Sequence, residues 1–463
     1  MDTAPPNSLP LHAVPAMVAP GHVLGDVRQS GDVPDLFSAH LALDTARQAA
    51  SRLLLLDQPE VAVDVLMAAL VANRGEADPV WILLVGPPSS GKSELLRALA
   101  ACPGTIREAF LTPAALVSPD AGVETVLRRA GAGPTVLIVN DFGSLQTLPG
   151  EQRDQVFQLL RETYDGRVSK SYGKGKRDEW RGKLGLVAGG VPAVETFQSA
   201  SAILGERYLV YPLATGDRQA TAELALRTAS KSAGLRQELA EAFLGALAAT
   251  EGVDVDAVGA PPDLVSRLAS LANLTSHLRT PVPWGRGHGA GPQYVPQPEG
   301  AGRLAKALLR LGQGLAVVRG RLALAEADYA VLLRVALGSV PSLRRAVVGA
   351  LLARPDQDHL GQSAAVVGAS TGIPPKTAEQ GLRECEALRL VRVYPGTGRS
   401  HPDRFRLDAE VAQRLKTCGL GPALAASAVV PPEPPRAVWV SCGPRCQQPR
   451  LLGGPCPACG DGA

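Results

Sequence analysis

The sequence contains few aromatic residues. Phe, Trp and Tyr make up 4% of its 463 residues, whereas hydrophobic residues as a whole make up 45%. This composition predicts a core of Ala, Leu and Val, and it argues against carbohydrate binding and against proteins that bind single strands mainly by aromatic stacking. The chain also lacks an excess of one charge, since 47 Lys and Arg residues face 44 Asp and Glu residues. Any basic surface for nucleic acid must therefore be local.

Long apolar runs are absent as well. No segment reaches the roughly 18 uninterrupted apolar residues of a membrane helix. The uncharged stretch between Asp2 and Asp26 lacks a basic start and contains five prolines, unlike a signal peptide. We expect a soluble, cytoplasmic protein with no membrane partner and a disordered tail over residues 1–40.

Hydrophobic patterning predicts an α/β fold with several domains. Over residues 41–215, two helices precede compact apolar runs that are separated by helix-length segments, which favours a parallel sheet with helical crossovers. Residues 216–340 read as a helical lid with a Pro/Gly-rich insertion, residues 341–415 as a winged helix, residues 416–440 as an Ala/Pro-rich linker and residues 441–463 as a small cysteine-containing unit. The predicted strands are Val80–Val85, Thr135–Val139, Leu184–Ala188 and Tyr208–Tyr211.

A phosphate-binding motif follows the first predicted strand. The eight residues from Gly86 match G-x-x-x-x-G-K-[ST] without a mismatch, and a helical run follows them. In such a P-loop, backbone amides close on the phosphates, Lys92 reaches the outer phosphates and Ser93 holds Mg²⁺. The sequence therefore predicts ATP and Mg²⁺ as cofactors. The candidate nucleotide ligands of the loop are Gly86, Pro87, Pro88, Ser89, Ser90, Gly91, Lys92 and Ser93.

The second predicted strand ends at Asn140 and Asp141, at the sheet edge where ligands of parallel sheets collect. Asp141 is the candidate acid for magnesium and catalysis. In the common motif a Glu follows this Asp and orients the attacking water, but Phe142 stands there. Three interpretations stay open: the base comes from elsewhere, Asn140 and Asp141 share the two roles, or Asp141 only caps the next element.

The order of these features resembles the AAA+ ATPases over about residues 40–350, most closely the branch of the minichromosome-maintenance helicases and magnesium-chelatase-like ATPases. The resemblance implies a helical lid, a homo-oligomeric ring with a hexamer favoured, and an arginine finger at Arg207 that reaches the neighbouring subunit's nucleotide. It also implies a sensor arginine at Arg303, which would contact nucleotide. A plain surface arginine is the competing interpretation for Arg207. Similar ATPases occur among genes of bacteriophages and mobile elements, so other replication or mobile-element proteins are possible partners.

The densest basic stretch covers residues 167–183, with seven basic residues against two acidic ones. Two central glycines suit a hairpin tip, and its position matches the DNA-gripping hairpin of the helicases that the chain resembles. Such cations would bind DNA phosphates without base preference, while Tyr172 or Trp180 could stack on bases. A solvated hairpin without a partner is the alternative. The candidate DNA contacts are Lys170, Lys174, Lys176 and Arg177.

The winged-helix candidate offers a second DNA surface. Its second helix begins near Pro374 and carries Lys376, and Arg399 lies in the wing, so both are candidate DNA contacts. The net charge of residues 372–407 is only +3, because seven basic residues face four acidic ones. A protein-contact role therefore stays open.

Cysteine is scarce until the last 22 residues, which hold four of the seven. Two pairs, with three and two residues between their members, sit among turn-forming glycines and prolines. Four thiolates on two such turns suit tetrahedral Zn²⁺. Reduced thiols or a disulfide are the alternatives. The predicted zinc ligands are Cys442, Cys446, Cys456 and Cys459.

Two functions explain these features. The first is an AAA+ ATPase that couples ATP hydrolysis to DNA remodelling or translocation, of the replicative helicase or loader type. The second is a DNA-binding regulator in which ATP occupancy switches the winged helix with little turnover. The missing Glu after Asp141 favours the regulator, whereas the basic hairpin and Arg207 favour the motor.

Overall fold

A computed structural model describes residues 36–120, 122–172, 176–193, 207–285, 291–353, 361–398, 401–427, 439–441 and 449–451. Of the predicted tail over residues 1–40, residues 1–35 lie outside the described residues, and the last five belong to the first helix. The strands are β1 (Trp81–Val85), β2 (Thr105–Glu108), β3 (Thr135–Val139), β4 (Arg167–Ser171), β5 (Arg177–Arg181), β6 (Leu184–Gly190), β7 (Tyr208–Pro212), β8 (Gln362–Ser363), β9 (Val391–Tyr394), β10 (Arg404–Leu407), β11 (Trp439–Ser441) and β12 (Pro449–Leu451).

Helices account for most of the remaining described chain. They are α1 (Leu36–Leu53), α2 (Pro59–Ala72), α3 (Lys92–Leu99), α4 (Pro113–Leu116), α5 (Val126–Ala130), α6 (Gly150–Tyr164), α7 (Arg218–Thr228), α8 (Ser232–Ala248), α9 (Pro262–Arg279), α10 (Gly302–Val318), α11 (Glu326–Gly338), α12 (Ser342–Ala353), α13 (Ala364–Thr371), α14 (Pro375–Ala387), α15 (Ala409–Thr417) and α16 (Leu420–Ser427). A 3₁₀ helix covers Phe142–Thr147.

A five-stranded parallel sheet forms the centre of the fold, in the order β2-β3-β6-β1-β7. The strand before the P-loop, β1, thus lies inside the sheet, between β6 and β7. The predicted α/β fold is confirmed, and all four predicted strands belong to this sheet. The fifth strand, β2, was not predicted, because it has only four residues and only Ile106 among them is buried.

One helix is almost wholly enclosed. Eleven of the 14 residues of α2 are buried, which explains its mostly apolar sequence. The one buried charge, Asp64, forms ion pairs with Arg47 and Arg319. Its neighbour α10 approaches it closely, since a Cβ atom on Gly314 would lie 2.3 Å from the carbonyl oxygen of Ala68. A glycine is required there so that the two helices can pack backbone to backbone.

The segment after α12 has the element order β8-α13-α14-β9-β10, with an antiparallel sheet in the order β8-β10-β9. This order is compatible with the winged helix predicted from the sequence, and α14 follows α13 after a short turn. Leu382 and Phe405 belong to the same buried cluster as residues of α2 and α10. The segment therefore shares a continuous core with the part of the chain that contains the parallel sheet.

A buried ion pair fastens α14 to the preceding helices. Arg344 Nε donates to Glu384 Oε2 at 3.0 Å, and Arg344 Nη1 donates to the carbonyl oxygens of Leu278 and Thr280 at 2.6 Å each. Trp284 Nε1 donates to the other carboxylate oxygen of Glu384 at 3.1 Å. The contacts join the end of α9 to α12 and α14, so a shift of one of these helices would strain or break its bonds to the others.

Within the described part of the chain, no single helix is long and apolar enough to span a membrane. Among the described helices, α11 and α12 taken together meet the length and composition criteria, and they are bent by 115° relative to each other.

Candidate nucleotide-binding site

The P-loop connects β1 to α3, as the motif predicts. Gly91 caps α3 with φ at 84°, and Ser89 also has positive φ at 61°. A Cβ atom on Gly91 would lie 2.8 Å from Leu54 Cδ2. The left-handed residues turn the loop sharply onto the first turn of α3, which is the geometry of a backbone cradle for an anion.

Lys92 folds back over this loop. Its Nζ donates to the carbonyl oxygens of Gly86 at 2.7 Å and Pro87 at 2.6 Å, and to Ser90 Oγ at 3.0 Å. Burial lowers the pKa of Lys92, and the nearby carboxylate of Asp141 works against that shift. Within the described residues, no carboxylate lies within ion-pair distance of the ammonium group. A phosphate oxygen would provide the missing negative charge.

A cavity of about 440 Å³ opens beside the loop. Its size suits a small ligand. The loop forms one wall, the end of α1 and the residues after it form a second, and the helices α7 and α8 form a third. None of the residues of α7 is buried. The lining residues outside the loop include Leu53, Leu54, Leu55, Leu56, Thr215, Thr221, Leu224, Thr228, Ser232 and Arg236.

Asp141 lies at the carboxyl end of β3, exposed and close enough to Lys92 to affect its pKa. It caps the 3₁₀ helix, because its Oδ1 accepts a hydrogen bond from the amide of Gly143 at 2.9 Å. Asn140 Oδ1 accepts from Arg107 Nε at 3.3 Å. Phe142 is buried and packs against the ring of Tyr208. The acid thus caps the 3₁₀ helix and also acts electrostatically on the loop lysine.

The residues fit a magnesium ion that is shared with a nucleotide. Among the residues that the structure describes, no group of three or more His, Cys, Asp and Glu could hold a metal alone. Mg²⁺ bound with a nucleotide takes one or two protein oxygens and completes its octahedron with phosphate oxygens and water. Ser93 and Asp141 can provide those two oxygens.

We predict that Asp141→Asn leaves ATP binding intact and lowers turnover by about 10²-fold or more, because the charge next to the metal is lost. The asparagine oxygen can still accept the bond from Gly143, so the local fold should persist. Asp254→Asn is a matched control, since Asp254 Oδ1 caps another 3₁₀ helix by accepting from Asp256 N at 2.9 Å. Normal turnover in the Asp141 variant would assign the metal to another acid.

Arg207 and Arg303 lie together at the amino-terminal end of the parallel strands, opposite the end that carries the P-loop. Arg207 precedes β7, level with the start of β1, which places it about 20 Å from the P-loop along the strand. The guanidinium carbon of Arg207 is 5.3 Å from the ring centroid of Tyr164, and that of Arg303 is 6.0 Å from the same centroid. Arg207 is 5% exposed and donates to both carboxylate oxygens of Asp165 at 3.0 and 3.1 Å.

Arg303 has a different environment from Arg207. It is half-buried at the start of α10 and lines a cavity of about 550 Å³ together with Lys183 and Lys306. In the described part of the chain it makes no hydrogen bond or ion pair. Neither arginine is near the P-loop of its own chain.

The basic hairpin forms as β4 and β5, in antiparallel register with Lys170 opposite Asp178. Trp180 is buried and donates through Nε1 to the carbonyl oxygen of Gly131 at 2.6 Å, so it anchors the hairpin and is not free to stack on a base. Lys170 Nζ lies 5.6 Å from the ring centroid of Tyr172.

The predicted DNA contacts of the hairpin differ in their surroundings. Lys176 is exposed, Arg177 pairs with Glu179 at 2.8 Å, and Lys174 lies outside the described residues. At the base of the hairpin, the exposed Arg167 and Arg181 stand directly opposite each other, a pairing that the sequence did not predict. Like charges in this position destabilise a hairpin unless an anion lies between them.

The other predicted contacts are distributed over the second half of the chain. Lys376 is exposed in the first turn of α14. Arg399 and the four predicted zinc ligands, Cys442, Cys446, Cys456 and Cys459, lie outside the described residues. The strands β11 and β12, which flank the segment with the first cysteine pair in the sequence, pair antiparallel.

No family model matches the sequence, and no curated protein matches it. One solved structure that it resembles is a candidate ATPase from Cytophaga hutchinsonii, at 13% identity and a TM-score of 0.41, over 66% of this chain and 88% of that chain. Because this similarity is low, the nucleotide site rests on the geometry of the loop.

Proposed function

We propose that the protein binds ATP with Mg²⁺ at the Gly86–Ser93 loop and hydrolyses it. The observation that carries this proposal is the loop itself: Lys92 lies over the cradle, bonded to uncharged oxygens only, with Asp141 nearby and a cavity beside it. Each of these features is needed to hold a triphosphate and its metal. The candidate ATPase from Cytophaga hutchinsonii has a name consistent with this activity.

The proposal includes an oligomer in which one subunit completes the site of the next. Arg207 and Arg303 share the ring of Tyr164, yet their own P-loop lies at the far edge of the sheet. Two guanidinium groups on one edge are suited to phosphates that a neighbouring copy presents. Arg207 would exchange the carboxylate of Asp165 for a phosphate in that assembly, and a ring of copies repeats the contact.

The proposal also includes DNA as the molecule that ATP hydrolysis remodels or moves, with the hairpin as the main contact. The observation in favour is the exposed face of β4 and β5, where Arg167 and Arg181 lie opposite each other and Lys176 is also exposed. Cations on such a face bind phosphates independently of base sequence. Lys376 at the start of α14 would add a second contact.

We predict that replacing four basic residues of the hairpin with Ala weakens DNA binding for all sequences alike. The slope of log affinity against log salt should fall by up to about 0.7 to 0.9 per lost phosphate contact. Basal ATP turnover should survive. The double variant Arg414→Ala/Lys416→Ala, which removes two exposed cations of α15, is a control that should keep the wild-type slope. An unaltered slope in the hairpin variant would move the DNA site to α14. The replaced residues are Lys170, Lys174, Lys176 and Arg177.

The second candidate function is an ATP-switched DNA-binding regulator. Two observations favour it: the buried Phe142 occupies the position of the usual catalytic Glu, and the Arg344–Glu384 pair fastens α14 to the helical region. Turnover measured with and without single- and double-stranded DNA separates the two functions. The motor requires turnover that DNA stimulates, whereas the regulator requires ATP-dependent DNA affinity with little turnover.

The proposal also includes one zinc ion per chain, held by the four cysteines of the tail. We predict that protein purified under reducing conditions contains one zinc, that Cys456→Ser loses it, and that chelation spares ATP turnover. Cys418→Ala should retain the metal, because Cys418 is buried in the core and burial raises its pKa. Protein without zinc by elemental analysis would exclude this site.

A further inference from the structure

A side chain of the helical lid reaches the first turn after the P-loop. Arg236 on α8 donates through Nε to Glu94 Oε2 at 2.8 Å and through Nη2 to Glu94 Oε1 at 3.0 Å. Glu94 directly follows Ser93, the candidate magnesium ligand. The two-pronged ion pair therefore ties α8 to the part of α3 where phosphates are expected, although 142 residues separate its partners in sequence.

Arg236 is also well placed for a ligand in the cavity. Among the residues that line the 440 Å³ cavity, Lys92 and Arg236 are the cations, one from the loop and one from the lid. The Arg236 side chain is 40% exposed, so it can reorient. A carboxylate and a phosphate present similar pairs of oxygens to a guanidinium group. Glu94 and a bound phosphate thus compete for the same side chain.

We propose that Arg236 exchanges Glu94 for a phosphate of the bound nucleotide. The inference rests on the proposed nucleotide site and adds a residue that contacts the ligand. Glu94 does not become isolated after the exchange, because Arg97 Nη1 also donates to its Oε2 at 2.9 Å. In this exchange, Arg236 leaves the Glu94 carboxylate when the nucleotide phosphate binds it instead.

The helix does not depend on this ion pair for its position. Leu239, Phe243 and Leu247 of α8 are buried in the core, and a second exposed ion pair, Arg52–Glu238, joins α8 to α1. Loss of the Arg236–Glu94 pair should therefore leave the fold intact. This allows a test by substitution.

The test measures binding of Mg·ADP and of a slowly hydrolysed Mg·ATP analogue by titration calorimetry. Arg236→Gln should weaken both affinities by about three- to tenfold, because a charge-assisted hydrogen bond to phosphate is lost. Glu94→Gln should tighten both, because Arg236 no longer has to leave a carboxylate. The double variant should lose that gain. Arg52→Gln, which breaks the other link of α8, should bind as the wild type does.

The outcomes separate an exchange from simpler roles. If Glu94→Gln and Arg236→Gln weaken binding equally, the pair only docks the helix and the inference is overturned. If Glu94→Gln tightens binding equally in the absence of Arg236, removal of negative charge explains the effect and the inference is again overturned. If the wild-type protein binds no nucleotide, or if Lys92→Ala binds as the wild type does, the proposed nucleotide site itself fails.

Discussion

Lys92→Ala protein should show no measurable ATP turnover and should bind ATP at least about tenfold more weakly. Its ammonium group is the cation of the loop, bonded to the carbonyl oxygens of Gly86 and Pro87 and to Ser90 Oγ. When a triphosphate is bound, that positive charge is needed at the outer phosphates, where it stabilises the charge that develops while the terminal phosphoryl group is transferred to water. In the Ala variant, water that fills the space of the lysine side chain cannot supply its positive charge.

The fold should not change in this variant. The oxygens that Lys92 leaves behind belong to a loop beside an open cavity, where water can bond to them. Phosphate release measures turnover, and thermal unfolding measures stability. Wild-type turnover with unchanged stability would show that the hydrolysis site lies elsewhere.

A mixture of two inactive proteins, Arg207→Ala and Lys92→Ala, should regain ATP turnover. In a mixed ring, some sites pair an intact loop from the Arg207 variant with an intact arginine from the Lys92 variant. Random assembly of equal amounts makes about a quarter of the sites complete, so about a quarter of wild-type turnover is the expected upper value. The physical reason is the placement of Arg207 at the sheet edge away from its own loop.

A second mixture controls for nonspecific rescue. Arg207→Ala and Arg303→Ala both damage the edge near Tyr164, so a mixture of these two variants leaves every site without one arginine. No turnover should return. If the first mixture stays inactive in assemblies shown to contain both proteins, Arg207 acts within its own subunit or has no role in hydrolysis.

The sheet and the P-loop could be predicted because their signals are local. A compact apolar run followed by eight matching residues predicts strand, loop and helix together, and the structure has them in that order. The strand β2 gave no such signal, because three of its four residues are polar and it is recognisable only by its pairing with β3. A sequence pattern reveals a strand through the apolar residues that the strand buries, and only one residue of β2 is buried.

The side-chain partners could not be predicted from the sequence. Charged residues on helices α3 and α8 follow no motif, so the Glu94–Arg236 pair emerges only when the fold brings the helices together. The cations around Trp180 in the sequence suggest a stacking residue, yet its indole is buried and bonded to Gly131. The partner of Arg207 is likewise set by the end of α6, where Asp165 follows Tyr164.

The most direct measurement is the structure of the assembled protein with Mg²⁺ and a slowly hydrolysed ATP analogue. The account predicts phosphates in the Gly86–Ser93 loop, with Lys92 moved from the carbonyl oxygens of Gly86 and Pro87 to the outer phosphates. It also predicts Arg207 and Arg303 of a neighbouring copy within hydrogen-bond distance of the same nucleotide. A nucleotide bound away from this loop, or an assembled ring in which Arg207 still pairs with Asp165 beside an occupied site, would contradict it.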